Sequence, residues 1–128
     1  MATINGDTLN GLIRHFRDDR DDLDIIVRTL EAFEEYHRAI YQLEITRRLS
    51  SCDAIDPDTC RTETEQRDRT RTVNHNAVIA QVGMLNRMAE EASLPPLYDG
   101  VVSEERPYRR ELADAVLAFV REVMINRI

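Results

Sequence analysis

Leu9, Leu12, Ile13 and Phe16 fall at i, i+3, i+4 and i+7, the spacing that lines one face of a helix with apolar side chains. The pattern predicts a short helix over about 8–17, with Asp7 or Thr8 placed to cap it. The run Arg17-Asp18-Asp19-Arg20-Asp21-Asp22 has no apolar residue and concentrates acid where a second helix would begin, so it reads as a connection and cap. From Leu23 the stripe continues through Ile26, Val27, Leu30, Phe33, Ile40 and Tyr41 to Leu49, with no Gly or Pro from residue 12 to 56. A second helix over about 21–50 follows, ~45 Å long.

Ser50 to Cys60 contains Asp56-Pro57-Asp58, a composition that disfavours helix and reads as a loop over 51–61. Thr62-Glu63-Thr64-Glu65 has the form of a capping box, so the third helix is expected over about 62–93. Its first turns are wholly polar, with Glu63 four before Arg67 and Glu65 four before Arg69, spacings that allow local ion pairs. Its apolar part runs from Val73 to Ala92. Leu94-Pro95-Pro96 and Asp99-Gly100 then impose a reversal over 94–102. Ser103, with Glu104 and Glu105 behind it, marks a last helix over about 103–126, striped by Tyr108, Leu112, Ala115, Val116, Phe119 and Val123. The expectation is an all-α fold, a single domain over 1–128, with four helices packed as an up-and-down bundle.

Composition agrees. The 128 residues include only 4 Gly and 4 Pro, too few turn residues for many short strands. No run approaches the roughly 18–20 apolar residues of a membrane span, and Met1 to Asp7 lacks the form of a signal peptide. A cytoplasmic location is expected. The net charge of −7 would repel nucleic acid and anionic membranes, so neither is expected as a direct partner. All 17 basic residues are Arg. Residues 1–60 hold 13 acids against 7 Arg, and residues 61–128 hold 11 against 10, so any acidic face belongs to the first half. Cys52 and Cys60 fit neither a redox nor a zinc spacing and read as free thiols in the loop.

Chemistry must come from polar residues on apolar faces. His37 lies seven after Leu30 and Glu44 seven after His37, interrupting the stripe of the second helix. Glu34 and His37 form one Glu-x-x-His, but Thr72 precedes His75 by three and Leu12 precedes His15 by three, so the second copy a di-iron bundle needs is missing. His15, His37 and His75 fall on three helices, yet no pair has i, i+4 spacing, and neither a metal nor another cofactor is expected. No Gly-x-Ser-x-Gly elbow or Gly-rich phosphate loop occurs, so no catalytic residue is assigned. Arg67, Arg69 and Arg71 are interleaved with Glu63, Glu65 and Asp68, which reads as a solvated face rather than an anion site.

The block His75-Asn76-x-x-Ile79-x-x-Val82-x-x-Leu85-Asn86-Arg87, followed by Leu94-Pro95-Pro96-Leu97-Tyr98-Asp99-Gly100, resembles a family of small all-helical bacterial proteins of unknown function. The resemblance covers a little under half of the chain and implies an all-helical protein of bacterial or mobile-element origin. It brings no activity or ligand, but directs attention to His75, Asn76, Asn86, Arg87 and Asp99. Amides flanked by apolar residues need partners, so Asn86 or Arg87 is expected to bond to the 94–100 turn or to Asp99.

The functional expectation is a non-enzymatic protein–protein interaction or regulatory module, with a protein partner or a second copy of itself. An alternative is a metal- or small-molecule-binding bundle, conceivably an enzyme, built on His37, Glu44 and His75. A third is an acidic mimic of nucleic acid, carried by the Asp18–Asp24 cluster, that would inhibit a nucleic-acid-binding protein. The candidate binding residues are therefore His37, Glu44, His75, Asn76, Asn86, Arg87 and Asp99.

Overall fold

A computed structural model describes residues 2–52, 55–100 and 110–125. The described residues form an all-α bundle: α1 (Gly6–His15), α2 (Arg20–Leu49), α3 (Pro57–Glu91) and α4 (Arg110–Phe119), the last continuing as a π-helical turn, Val120–Ile125.

Helix starts follow capping chemistry. Asn5 Oδ1 accepts from the amides of Asp7 and Thr8, so α1 begins two residues before the expected position and neither Asp7 nor Thr8 is the cap. Asp19 Oδ1 caps α2 through the amides of Asp21 and Asp22. The third helix needs the larger correction. It starts at Pro57, not Thr62, because Asp56 Oδ2 accepts from the Thr59 amide at 3.0 Å and the Thr59 hydroxyl at 2.8 Å. Proline at the first helical position loses no hydrogen bond there. The expected loop over 51–61 is thereby shortened, and Cys60 sits buried in α3, a free thiol like the exposed Cys52. The Ser103 cap and the first turns expected for the last helix lie outside the described residues.

α2 and α3 form a long antiparallel hairpin, and polar contacts pin its register. The Thr29 hydroxyl donates to Gln81 Oε1 at 3.0 Å, Tyr36 and His75 share a 2.6 Å hydrogen bond, and Arg67 donates to Gln42 Oε1 at 3.1 Å. Each step along α2 is matched by a similar step back along α3.

The seam of α2 consists of Ile26, Thr29, Phe33, Tyr36, Ala39 and Leu43, steps of three or four residues that keep one helix face toward α3. This corrects the stripe read from Leu23, Leu30, Ile40 and Tyr41. Leu23, Leu30 and Ile40 only flank the core, and Tyr41 is 56% exposed. On α3 the seam is His75, Val78, Ile79, Val82, Leu85, Met88 and Ala89, whereas Val73 is 68% exposed. α4 closes the core with Leu112, Val116 and Phe119, the last meeting Phe33 edge to face at 5.8 Å.

α3 stops without a glycine. Ser93 adopts a left-handed conformation (φ 58°), its amide reaches Glu90 O and the Leu94 amide reaches Ala89 O at 2.8 Å. That is a Schellman stop, and Pro95-Pro96 follow it. The following turn is clamped from two sides. Leu97 and Tyr98 are buried, Asn5 N donates to Leu97 O at 2.7 Å, Ile4 bridges Tyr98, and the Thr8 hydroxyl donates to Pro95 O.

Candidate functional site

The seven candidate residues divide among separate places. His75 is 1% exposed, within the α2–α3 seam, where its Nδ1 lies 2.6 Å from the Tyr36 hydroxyl and the two rings meet edge to face at 5.2 Å. A buried imidazole paired in this way packs and sets register.

His37 follows Tyr36, so it turns away from that pair. It is half-buried, and its pKa is lowered below the usual 6.5, first by desolvation and then by the positive charge of Arg121. Glu44 is exposed on the wall of a groove between α2, α3 and α4 that also holds Arg47, Arg71, Arg110 and Asp114. Neither His37 nor His75 lines that groove. The alternative pocket on His37, Glu44 and His75 would need one face, but His75 turns into the α2–α3 seam toward Tyr36, whereas His37 and Glu44 lie two turns apart on another face of α2. Among the described residues no group of three or more His, Cys, Asp and Glu is placed to hold a metal ion.

Asn86, Arg87 and Asp99 do come together. The Asn86 side chain donates to Tyr98 O at 3.3 Å and accepts from Tyr98 N at 3.1 Å, so one amide satisfies both backbone groups of Tyr98. This is the bond to the turn that the sequence suggested for Asn86, although Asp99 is not its partner. Asp99 instead accepts from Thr3 N at 2.9 Å. Arg87 is exposed and lines a shallow groove with Glu90, Leu94, Pro96 and Gly100. Gly100 is obligatory, since a Cβ there would overlap the Tyr98 hydroxyl and ring. The cluster ties the turn after α3 to α3 itself and to Thr3. Asn76 takes no part and is exposed.

Residues 3–127 match the model of a family described as a protein of unknown function (DUF3232). The chain belongs to that family. The match takes in every described helix of this DUF3232 chain. Neither a curated protein nor a solved structure matches the chain.

Sequence reasoning missed two surface features of this DUF3232 chain. One is an apolar stripe on the outer face of α2, where Tyr41, Ile45 and Leu49 recur every four residues and are 56%, 40% and 47% exposed. Its signal was the excess of apolar residues on α2 beyond one seam. The other is a groove between residues 2–6 and α4, lined by Ile4, Ala115, Ala118, Phe119 and Val123. Its signal was weaker, alanines on the face of α4 beside bulky core positions. No helix among the described residues is long and apolar enough to cross a membrane.

Proposed function

We propose that this chain is a non-enzymatic interaction module that pairs with a second copy of itself through the outer face of α2. The observation that carries the reading is the stripe of Tyr41, Ile45 and Leu49, three large apolar side chains left facing solvent on one helix. Beside it, Gln42, Ile45, Thr46 and Leu49 form one wall of an open trough of about 360 Å³ whose other wall is Thr59, Glu63 and Arg67 of α3. Contiguous exposed apolar surface is the usual mark of an interface.

The order of the stripe favours a second copy. In an antiparallel pair of α2 helices with its two-fold axis at Ile45, Tyr41 of each chain lies against Leu49 of the other and Ile45 against Ile45, so the stripe is covered by its own copy. A two-fold interface must be self-complementary in this way.

Sedimentation of the full chain across a range of concentrations tests the reading. A dimer is expected, reduced to monomer by Ile45→Glu. Tyr41→Glu and Leu49→Glu, at the two ends of the stripe, should each weaken the dimer. A monomer at every concentration overturns the proposal, as does a dimer indifferent to all three changes.

A further inference from the structure

A groove lies between residues 2–6 and α4, apart from the outer face of α2. Its volume is about 540 Å³, inside the range of roughly 300–1,000 Å³ typical of ligand sites. It exists because small residues stand where large ones would close it. Ala115 and Ala118 end at Cβ, and at Gly6 even an added Cβ would only reach Phe119 Cε2 at 4.0 Å.

Acids frame the apolar floor. Glu111 and Asp114 stand toward one end and Glu122 toward the other, while Arg110 is the one base among the described lining residues. Arg110 leans on Asp114 at 3.9 Å, and Glu111 accepts from Ala2 N at 3.0 Å. The Glu122 side chain makes no hydrogen bond or ion pair among the described residues. Glu122 and Val123 also belong to the π-helical turn Val120–Ile125, a departure from α-helix found mostly as single turns and often at functional sites. The twelve residues from Glu111 to Glu122 span roughly 16 Å, about three helical turns.

We propose that this groove receives an amphipathic α-helix from a partner protein, with apolar side chains on Ile4, Ala115, Ala118 and Phe119 and Lys or Arg residues beside the acids at each end. The shape and the charge each support that occupant. An open trough three turns long, apolar along its floor and acidic at both ends, complements the apolar face and basic flanks of such a helix. A compact ligand would use one end only, and an acidic segment would be repelled at both.

Fluorescence anisotropy of the full chain with a labelled amphipathic Leu/Lys helical peptide, and with its Leu/Glu counterpart, tests the proposal. The basic peptide is expected to bind saturably and the acidic one not to bind. The net charge of −7 attracts any basic peptide, so the deciding variant keeps the charge. Ala118 is exposed, and Ala118→Leu, filling the groove, should weaken binding about tenfold. Glu122→Lys should weaken it several-fold and reduce its salt dependence. Circular dichroism confirms that each variant is folded, and Glu122→Lys decides the question if Ala118→Leu is not. Unchanged affinity in the folded variants overturns the proposal, as does equal binding of the acidic peptide. Saturable binding of a small lipophilic diamine with no binding of the peptide also overturns it.

Discussion

The Tyr36 hydroxyl and His75 Nδ1 lie 2.6 Å apart between residues that are both almost wholly buried, joining α2 and α3 at the middle of their seam. Toward one end of the hairpin the seam beside them is apolar, with Phe33 on α2 and Val78 and Val82 on α3. A buried polar pair is satisfied in one register only, since sliding either helix by a turn would part the two groups.

Tyr36→Phe keeps the ring and removes the hydroxyl, leaving His75 Nδ1 without this bond in a buried place. The expected loss is about 1–3 kcal/mol of unfolding free energy, read from urea denaturation. His75→Ala in the Tyr36→Phe background should cost less than the two single changes added together, because the partners are coupled. Strict additivity would show that the contact contributes nothing.

The Asn86 amide makes two hydrogen bonds to the backbone of Tyr98. Asn86→Ala removes both and is expected to lower stability by about 1–3 kcal/mol, mostly through the unsatisfied groups it leaves on Tyr98. Asn86→Asp keeps the acceptor for Tyr98 N but sets a carboxylate against Tyr98 O, so it should be destabilised as well. A melting temperature unchanged in Asn86→Ala would remove the clamp from the account of the reversal.

Ser93 gives the opposite sign. It holds a left-handed conformation at the end of α3 and its side chain is exposed. A residue with a Cβ is strained there by roughly 1 kcal/mol relative to glycine. Ser93→Gly should therefore raise stability by about 0.5–1 kcal/mol, less whatever the added freedom of the unfolded chain removes. A loss of stability would show that the Ser93 side chain does more than its contacts indicate.

The helices and the reversal at Pro95-Pro96 were legible because each follows from local chemistry: periodicity, a capping carboxylate, paired prolines. The seam of α2 was less so. Thr29 and Tyr36 belong to it but are polar, and they are buried only because Gln81 and His75 satisfy them from α3. A reading that followed apolar residues rotated the face toward Tyr41. Asp56-Pro57 was read as a loop, although the same pair is a good helix start once Thr59 bonds to the carboxylate. The groove beside α4 left almost no trace, because its walls come from opposite ends of the chain and its defining property is empty space beside alanines.

His37 makes stability depend on pH, and the sign follows from its surroundings. Partial burial and Arg121 both disfavour the imidazolium, so the folded chain holds His37 below the 6.5 of an unhindered histidine. The unfolded chain binds the proton more readily, and stability rises with pH wherever the unfolded state carries more protons. The His37 contribution is therefore fully present above 6.5 and is lost as pH falls below it, down to the depressed folded value. Urea midpoints measured between about pH 5 and 8 should fall on the acid side, and His37→Gln should flatten that part of the curve. Arg121→Gln removes the neighbouring charge but not the burial, so the His37 resonance in an NMR titration should move toward 6.5 without reaching it. A full return to 6.5 would make Arg121 the whole cause, and no movement would leave desolvation alone. The difference between the wild-type and His37→Gln curves isolates the contribution of His37.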